Sequence, residues 1–310
     1  MWFQSVCVVL TKKCNADCDI CCQSCSNATN EKIDIDKTLE TIKELRRKEA
    51  IRMVGITGGE PFIYFSYLIR LVESLKELGI GTTFTTNGFW GNNYETAYEK
   101  LNSIKKLGIK FFTLSVDDFH EKFVPYQSIA NIIDISKKLD IRIIINSVST
   151  KNSKRLKGVL DKLEDSLINC NLIEIPCVPV GHAAERIKEE EYIYMEGLPT
   201  GCCEFMNIFT ILPNGDVYPC CSEAGMSPVL YLGNIHRNSV DDLLKEFYEN
   251  CICRVLREKG TTYIYNEILS NEERKALRKR FISSCDMCHV LFENKELCKK
   301  IERRVRNAMI

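Results

Sequence analysis

Six short runs of β-branched and aromatic residues recur through residues 5–180: "SVCVVL", "RMVGIT", "GTTFTT", "KFFTLSV", "IRIIINSV" and "LIEIPCV". Amphipathic segments separate each run from the next, at about 36–49, 64–78, 93–107, 127–139 and 153–167. Near-continuous apolar runs of this length are the pattern of strands covered on both faces of a parallel sheet. A helix between consecutive strands imposes a right-handed crossover, and so a parallel order. "YLIRLVESLKELG" shows the i, i+3, i+4 apolar spacing and ends on Gly79, a helix stop. Six such units fall short of the eight of a closed barrel. The alternation therefore predicts an α/β fold with an open, partial (β/α)6 TIM-like barrel, whose chemistry sits at the carboxyl ends of the strands.

The pattern changes after about residue 190. "MNIFTILPNGDVYPC" predicts a hairpin, with Pro213, Asn214, Gly215 and Asp216 supplying the turn. Helical stretches follow at about 239–258 and 271–282, and cysteines return at Cys202, Cys203, Cys220, Cys221, Cys285 and Cys288. The expected organisation is a barrel over 1–190 and a small Cys-rich α+β domain over 191–310. No internal repeat or low-complexity linker is visible.

Composition excludes several classes. The 42 basic and 42 acidic side chains cancel, which leaves no basic field to displace phosphate counterions from a nucleic acid. No run approaches the roughly 18–20 apolar residues that span a bilayer. "MWFQSVCVVL" is too short for a secretory core with its flanks, and no small-residue cleavage site follows. The expectation is a cytoplasmic protein bound to neither nucleic acid nor membrane. In that reducing setting 17 cysteines read as metal ligands or reactive thiols rather than a disulfide framework.

Five of them crowd into "TKKCNADCDICCQSC", directly behind the first strand. Cys14, Cys18 and Cys21 have the spacing C-x3-C-x2-C. Three thiolates on one loop can bind three irons of a [4Fe–4S] cube and leave the fourth open, whereas electron-transfer clusters use four cysteines. Zinc calls for two C-x2-4-C pairs or a cysteine–histidine mixture, and the nearest histidine is His120. Cys7, inside the first strand, reads as a small core residue. Cys22 and Cys25 are alternative ligands or packing groups. "ITGGEPF" follows the second strand, on the same rim. Its Gly58 and Gly59 allow close backbone approach, and Glu60 can receive an ammonium.

C-x3-C-x2-C after the first strand, with "TGGEP" after the second, resembles the radical S-adenosylmethionine (radical SAM) superfamily. The resemblance implies that the amino and carboxylate groups of S-adenosylmethionine chelate the open iron. One electron then cleaves the sulfonium and yields a 5′-deoxyadenosyl radical, which abstracts an unactivated hydrogen. It also implies cofactor contacts from Gly58, Gly59, Glu60 and Pro61, from Ser115 and Asp117 after the fourth strand, from Asn146 after the fifth, and from Gly181 in "VPVGHAAERI". Strand-end capping is the plain alternative for Ser115, Asp117 and Asn146. His120 in "VDDFHEKF" is a substrate-site residue or a surface histidine. Phe89 and Trp90 in "TNGFWG" line the cofactor or peptide groove, or fill the core.

The hairpin and the C-x2-C of "SSCDMCHVLFEN" look like the SPASM or twitch domains that hold auxiliary clusters. The resemblance implies a second [4Fe–4S] cluster on Cys203, Cys220, Cys285 and Cys288, with Cys203 preferred over Cys202. A structural zinc is the alternative for such a set. Adjacent side chains in an extended segment point to opposite faces, so if Cys220 faces a cluster, Cys221 faces away. Cys170, Cys251, Cys253 and Cys298 read as structural, with Cys177 near the rim.

Nearly the whole chain is similar to the radical SAM peptide epimerases of the epipeptide type. The similarity is carried by "CNADCDICCQSC", "ITGGEPF", "TNGFWG", "VDDFHEKF", "VPVGHAAERI", "GDVYPCCSE", "LREKG" and "SSCDMCHVLFEN". It implies conversion of L-residues to D-residues in a ribosomally synthesised peptide. The deoxyadenosyl radical takes a Cα hydrogen, and the Cys221 thiol returns hydrogen to the opposite face. An external flavodoxin- or ferredoxin-like protein is the implied electron donor. About ten residues precede the first cysteine motif, too few for a leader-binding domain, so peptide recognition is expected from the barrel, the second domain or another protein. The alternatives are a radical SAM enzyme forming thioether or carbon–carbon cross-links, and a non-catalytic iron–sulfur or zinc-binding protein.

Overall fold

The computed structural model describes residues 5–308 apart from Asn169 and Glu204. The first four residues of the apolar N-terminal run lie outside the described residues. The six expected strands are β1 (Ser5–Val9), β2 (Met53–Thr57), β3 (Gly81–Thr86), β4 (Phe111–Ser115), β5 (Arg142–Ser149) and β6 (Asn171–Pro176). They pair in parallel and in chain order. Between them run α1 (Ile35–Lys48), α2 (Phe65–Glu77), α3 (Tyr94–Lys106), the single turn α4 (Asp118–Glu121), α5 (Tyr126–Lys138) and α6 (Arg155–Leu163). Local chemistry sets their ends. Asp34 caps α1 by accepting from the Lys37 amide, and Asn93 caps α3 by accepting from Thr96. Gly79 closes α2 at φ +67°, with Ile80 N–H returning to the Leu75 carbonyl.

The predicted hairpin forms, as β7 (Ile208–Ile211) and β8 (Asp216–Tyr218), but it does not stand apart from the barrel. β7 pairs in parallel with the free side of β1, placing Thr210 opposite Cys7, and β8 and β9 (Gly233–Asn234) follow antiparallel. Among the described residues the sheet has nine strands, in the order β6-β5-β4-β3-β2-β1-β7-β8-β9. The apolar core follows the sheet and does not break at residue 190: Phe209, Val217 and Phe247 share one cluster with Val8, Phe84 and Phe112. Phe84 and Phe112 are fully buried and stacked at 4.8 Å; each contributes roughly 1.5–3 kcal/mol of burial.

The chain continues through α7 (His182–Arg186), before the hairpin, and then α8 (Val240–Glu249) and α9 (Cys251–Glu258) after it. The single helix expected over 239–258 is split at Asn250, whose side chain caps α9 through the Cys253 amide. α10 (Gly260–Tyr263) and α11 (Asn271–Ala276) follow, the latter shorter than expected, then α12 (Ser284–Phe292) and α13 (Lys295–Ala308). These pack into a second core around Met206, Ile252, Phe281, Met287 and Ile301. Among the described residues no helix is long and apolar enough to cross a membrane.

Candidate active site

The loop after β1 carries Cys14, Cys18 and Cys21 onto the wall of one cavity of about 180 Å³ at the carboxyl ends of the strands. Gly58, Gly59, Asn87, Ser115 and His120 complete its rim from β2, β3 and β4. The loop is held by its own groups. Cys14 N–H donates to the Ser26 carbonyl at 3.0 Å, and Cys21 N–H to the Cys18 carbonyl at 3.0 Å. Ala16 N–H donates to Cys14 Sγ at 3.4 Å, and Cys25 N–H to Cys21 Sγ at 3.3 Å. A hydrogen bond from the Cys25 thiol, with the Cys25 amide, lowers the Cys21 thiol below its ordinary value against its burial. Burial pushes Cys14 up to about 12. Cys25 is thus buried beneath the loop as a hydrogen-bond partner of Cys21.

The two glycines of the Gly-Gly-Glu-Pro loop line the cavity and also lie against the cysteine loop. A Cβ on Gly58 would lie 2.3 Å from the Thr11 carbonyl oxygen, and one on Gly59 would lie 2.1 Å from that of Lys13. Their backbones hydrogen-bond the cysteine loop: Gly59 N–H to Thr11 at 2.7 Å and Glu60 N–H to Lys13 at 2.8 Å. The missing side chains therefore let two protein loops touch. Gly181, at φ +60°, does the same from the other side, where a Cβ would meet the carbonyls of Cys21 and Cys22. His182 N–H donates to Cys21 O at 2.9 Å, and Arg186 pairs with Asp17 at 2.8 Å.

Glu60 is fully buried. It caps the turn begun by Pro61 through the Phe62 amide, and accepts from Thr86 Oγ1 at 2.8 Å and Asn87 N–H at 2.7 Å. Burial raises its carboxyl to about 7 against those three donors. Trp90 belongs to the core: it is buried, stacks on Phe62 at 4.3 Å, and donates Nε1–H to Thr86.

Asp117 is buried and caps α4 through the amides of Phe119 and His120, with its second oxygen on Val148 N–H. Burial opposes its charge, but His120, 2.9 Å away, and these amides hold the carboxyl below its ordinary value. Burial likewise opposes a charge on His120, yet Asp117 and then Cys18 raise it well above the usual imidazole value. His120 is therefore a cavity residue beside Cys18, and Asp117 acts through it. Asn146 stands opposite Ser115 in the sheet, where its carbonyl accepts from Val116. It is not among the residues described as lining the cavity. Asn87 had no place in the sequence reading; the available signal was its position just after β3, on the rim where this fold keeps its chemistry.

Cys203, Cys220, Cys285 and Cys288 line a second, mostly apolar cavity, together with Met206 and Leu256. They arrive from three segments: the chain before β7, the chain after β8, and one face of α12, where Cys285 and Cys288 stand at i, i+3. Cys220 and Cys288 are buried, and burial raises both thiols well above their ordinary value. Cys202 is exposed, its thiol donating to the Glu258 carbonyl at 3.0 Å. Cys221, half-buried, lines neither cavity. Its thiol is close enough to act electrostatically on Cys7 of β1, and burial pushes it up to about 11.

Both cavities suit iron–sulfur clusters by donor chemistry: five cysteines line the first, Cys14, Cys18 and Cys21 with Cys22 and Cys25, and four line the second. Among the described residues no group of three His, Cys, Asp or Glu side chains is arranged to hold a single metal ion.

The sequence model of the radical SAM superfamily matches residues 8–159, and that of SPASM, an iron–sulfur cluster-binding domain, matches residues 202–264. The chain belongs to the radical SAM superfamily, and with it to enzymes that consume S-adenosylmethionine at a [4Fe–4S] cluster. Among its relatives is the "Putative peptide biosynthesis protein YydG" of Bacillus subtilis (strain 168), 30% identical over 302 residues that cover 96% of this chain and 94% of that one. GTP 3′,8-cyclase of Rhizobium etli (strain CIAT 652) is 28% identical over 195 residues, 58% of this chain and 54% of the cyclase. Native anSMEcpe with bound AdoMet shares the fold, with a TM-score of 0.58 at 16% identity over 98% of this chain and 99% of that one.

Proposed function

We propose that the protein is a cytoplasmic peptide epimerase, converting L-residues to D-residues in a ribosomally made peptide. Cys14, Cys18 and Cys21 hold the cluster with the open iron. The loop Gly58-Gly59-Glu60-Pro61, with Ser115, Asp117, Asn146 and Gly181, forms and braces the S-adenosylmethionine site. Cys203, Cys220, Cys285 and Cys288 hold a second [4Fe–4S] cluster in the domain over 191–310. When bound, the first cluster and S-adenosylmethionine supply the radical that removes a peptide Cα hydrogen. The Cys221 S–H bond then breaks, and its hydrogen goes to the opposite face of that carbon. Cys221 would recover with one proton from solvent and one electron delivered through the adjacent second cluster, which an external flavodoxin- or ferredoxin-like donor would recharge.

The observation that carries this reading is the division of two adjacent cysteines. Cys220 lies in the apolar cavity with three other thiols, while Cys221 lines neither cavity and stands within electrostatic reach of Cys7 on one side and of Cys203 and Cys285 on the other. A thiol outside the ligand cavity, between that cavity and β1, supports a hydrogen-donor role. The barrel wall supports a peptide rather than a nucleotide. Glu174 of β6 turns outward to Arg155 and Leu156 of α6, and Leu172 packs on the core. By alternation Ile173 and Ile175, 45% and 41% exposed, face inward, beside Asn146 and Val148 of β5. That wall carries no cation for a triphosphate. The likeness to YydG supports the same substrate class.

The test is mass spectrometry of a candidate peptide after anaerobic turnover in deuterated water. One deuterium gained at a backbone Cα, with deoxyadenosine alongside, is the expected result. Loss of two hydrogens without deuterium means cross-linking and overturns the reading. In Cys221→Ala, deoxyadenosine should still form while D-residues do not; epimerisation at the wild-type rate would remove Cys221 from the mechanism.

A further inference from the structure

Asn87, just after β3, is buried, 5% exposed, and its backbone N–H and both ends of its carboxamide are directed. Its backbone N–H donates to Glu60 Oε2 at 2.7 Å. Its Oδ1 accepts from Phe89 N–H at 3.0 Å, which fixes the orientation of the carboxamide. Nδ2 then faces the cysteine loop, donating to Asn15 Oδ1 at 3.0 Å and reaching Cys14 Sγ at 3.8 Å. The two N–H bonds of one amide thus serve the backbone neighbour of a cluster ligand and the ligand sulfur itself.

We propose that Asn87 sets the reduction potential of the cluster held by Cys14, Cys18 and Cys21, by donating its side-chain N–H to Cys14 Sγ. The proposal rests on membership of the radical SAM superfamily and on these three ligands, not on the peptide or its epimerisation. Hydrogen bonds to cluster sulfurs are among the terms that set such potentials. An N–H pointed at sulfur stabilises the reduced, more negative state more than the oxidised one, so it raises the potential. A buried amide does this without adding charge, and the low dielectric around it strengthens the effect. Because the same residue holds Glu60, 27 positions away, and reaches Cys14, 73 positions away, it joins the cluster loop to the Gly-Gly-Glu-Pro loop. Asn87 is a positioning residue in this account; it touches the ligand sulfur and not the reacting atoms.

The experiment is an EPR-monitored redox titration of the full chain with reconstituted clusters and no peptide. Two variants are compared with wild type, Asn87→Ala and Asn87→Asp. Asn87→Ala removes the donor, and the midpoint of the first cluster should fall by about tenfold in the one-electron equilibrium, about 59 mV. Asn87→Asp keeps the shape and the acceptor for Phe89 N–H while replacing the donor with a carboxylate oxygen, and should lower the midpoint at least as far. It also decides the matter if the alanine variant does not hold iron. An unchanged midpoint in a variant with wild-type iron and sulfide content overturns the proposal.

Discussion

The two cysteine cavities are built in opposite ways. The first takes its thiols from one loop, Cys14 to Cys25, and borders them with polar groups from the ends of β2, β3 and β4, Asn87, Ser115 and His120 among them, beside the apolar Ile20 and Val148. The second gathers four thiols from three separate segments around a mostly apolar space that Met206, Ala224 and Leu256 also line. A site that must also bind a charged cofactor needs directed polar groups around its metal ligands. A site that only passes electrons or braces the fold is better closed and dry. The difference teaches that spacing alone locates the first site, while only tertiary structure assembles the second.

Removing one ligand from each site gives the largest expected contrast. Cys18→Ala should lower deoxyadenosine formation at least about 100-fold, because the cofactor loses its cluster. Cys285→Ala should leave deoxyadenosine formation within about tenfold of wild type in the absence of peptide, while lowering iron content and abolishing D-residues. Deoxyadenosine by chromatography and iron by colorimetry read both. Equal losses in the two variants would break the distinction between an active and an auxiliary site.

The glycines sharpen the comparison on the scale of stability. Gly59→Ala drives a Cβ to 2.1 Å from a backbone carbonyl that cannot retreat without moving the cysteine loop, and should cost about 3 kcal/mol. Gly225 borders the second cavity, where a Cβ would meet Cys220 Cβ and Sγ at 3.3 Å. A few tenths of an ångström relieve that contact, so Gly225→Ala should cost about 1 kcal/mol or less. Thermal midpoints of the two cluster-loaded variants, measured anaerobically, would rank them; the reverse order would mean that the second cavity is the stiffer one.

The alternation of strands and helices through residue 180 was legible because each unit is local: apolar runs, caps and a Gly stop all lie within some 30 residues of one another. Cys14, Cys18 and Cys21 were legible for the same reason. What escaped is non-local. Nothing in "IFTI" says that β7 will pair with β1, 203 positions earlier by the Ser5–Ile208 register. Asn87 meets Cys14 from 73 positions away. α12 was hidden by its mixed composition, whereas α13 did carry a signal, with Leu297, Ile301 and Val305 at i, i+4 spacing. The glycines were read as making room for a ligand. Their neighbours turned out to be carbonyls of the loop that carries the thiols, which no spacing rule reveals.

Lys12 and Glu223 tie the two regions together, from the loop before Cys14 to the segment after Cys221, at 3.4 Å. Lys12 is 31% exposed and Glu223 15%, so the pair is only partly screened and should be worth about 0.5–1 kcal/mol. The loss should be asymmetric. Lys12→Met strands a half-buried carboxylate, whereas Glu223→Gln removes the buried charge and leaves a lysine that can reach water. Burial already raises the Glu223 carboxyl above its ordinary value, and Lys12 is the group that restrains it. A carboxyl raised in the folded state contributes stability that is complete below its unfolded value, near 4.5, and is lost as pH rises through the folded value. Without Lys12 that folded value climbs further, so Lys12→Met should lose more stability at pH 8 than at pH 5, while Glu223→Gln should show no such slope. Anaerobic thermal midpoints of the two variants at both pH values measure this; parallel behaviour would show that the bridge between the regions is solvated and carries no load.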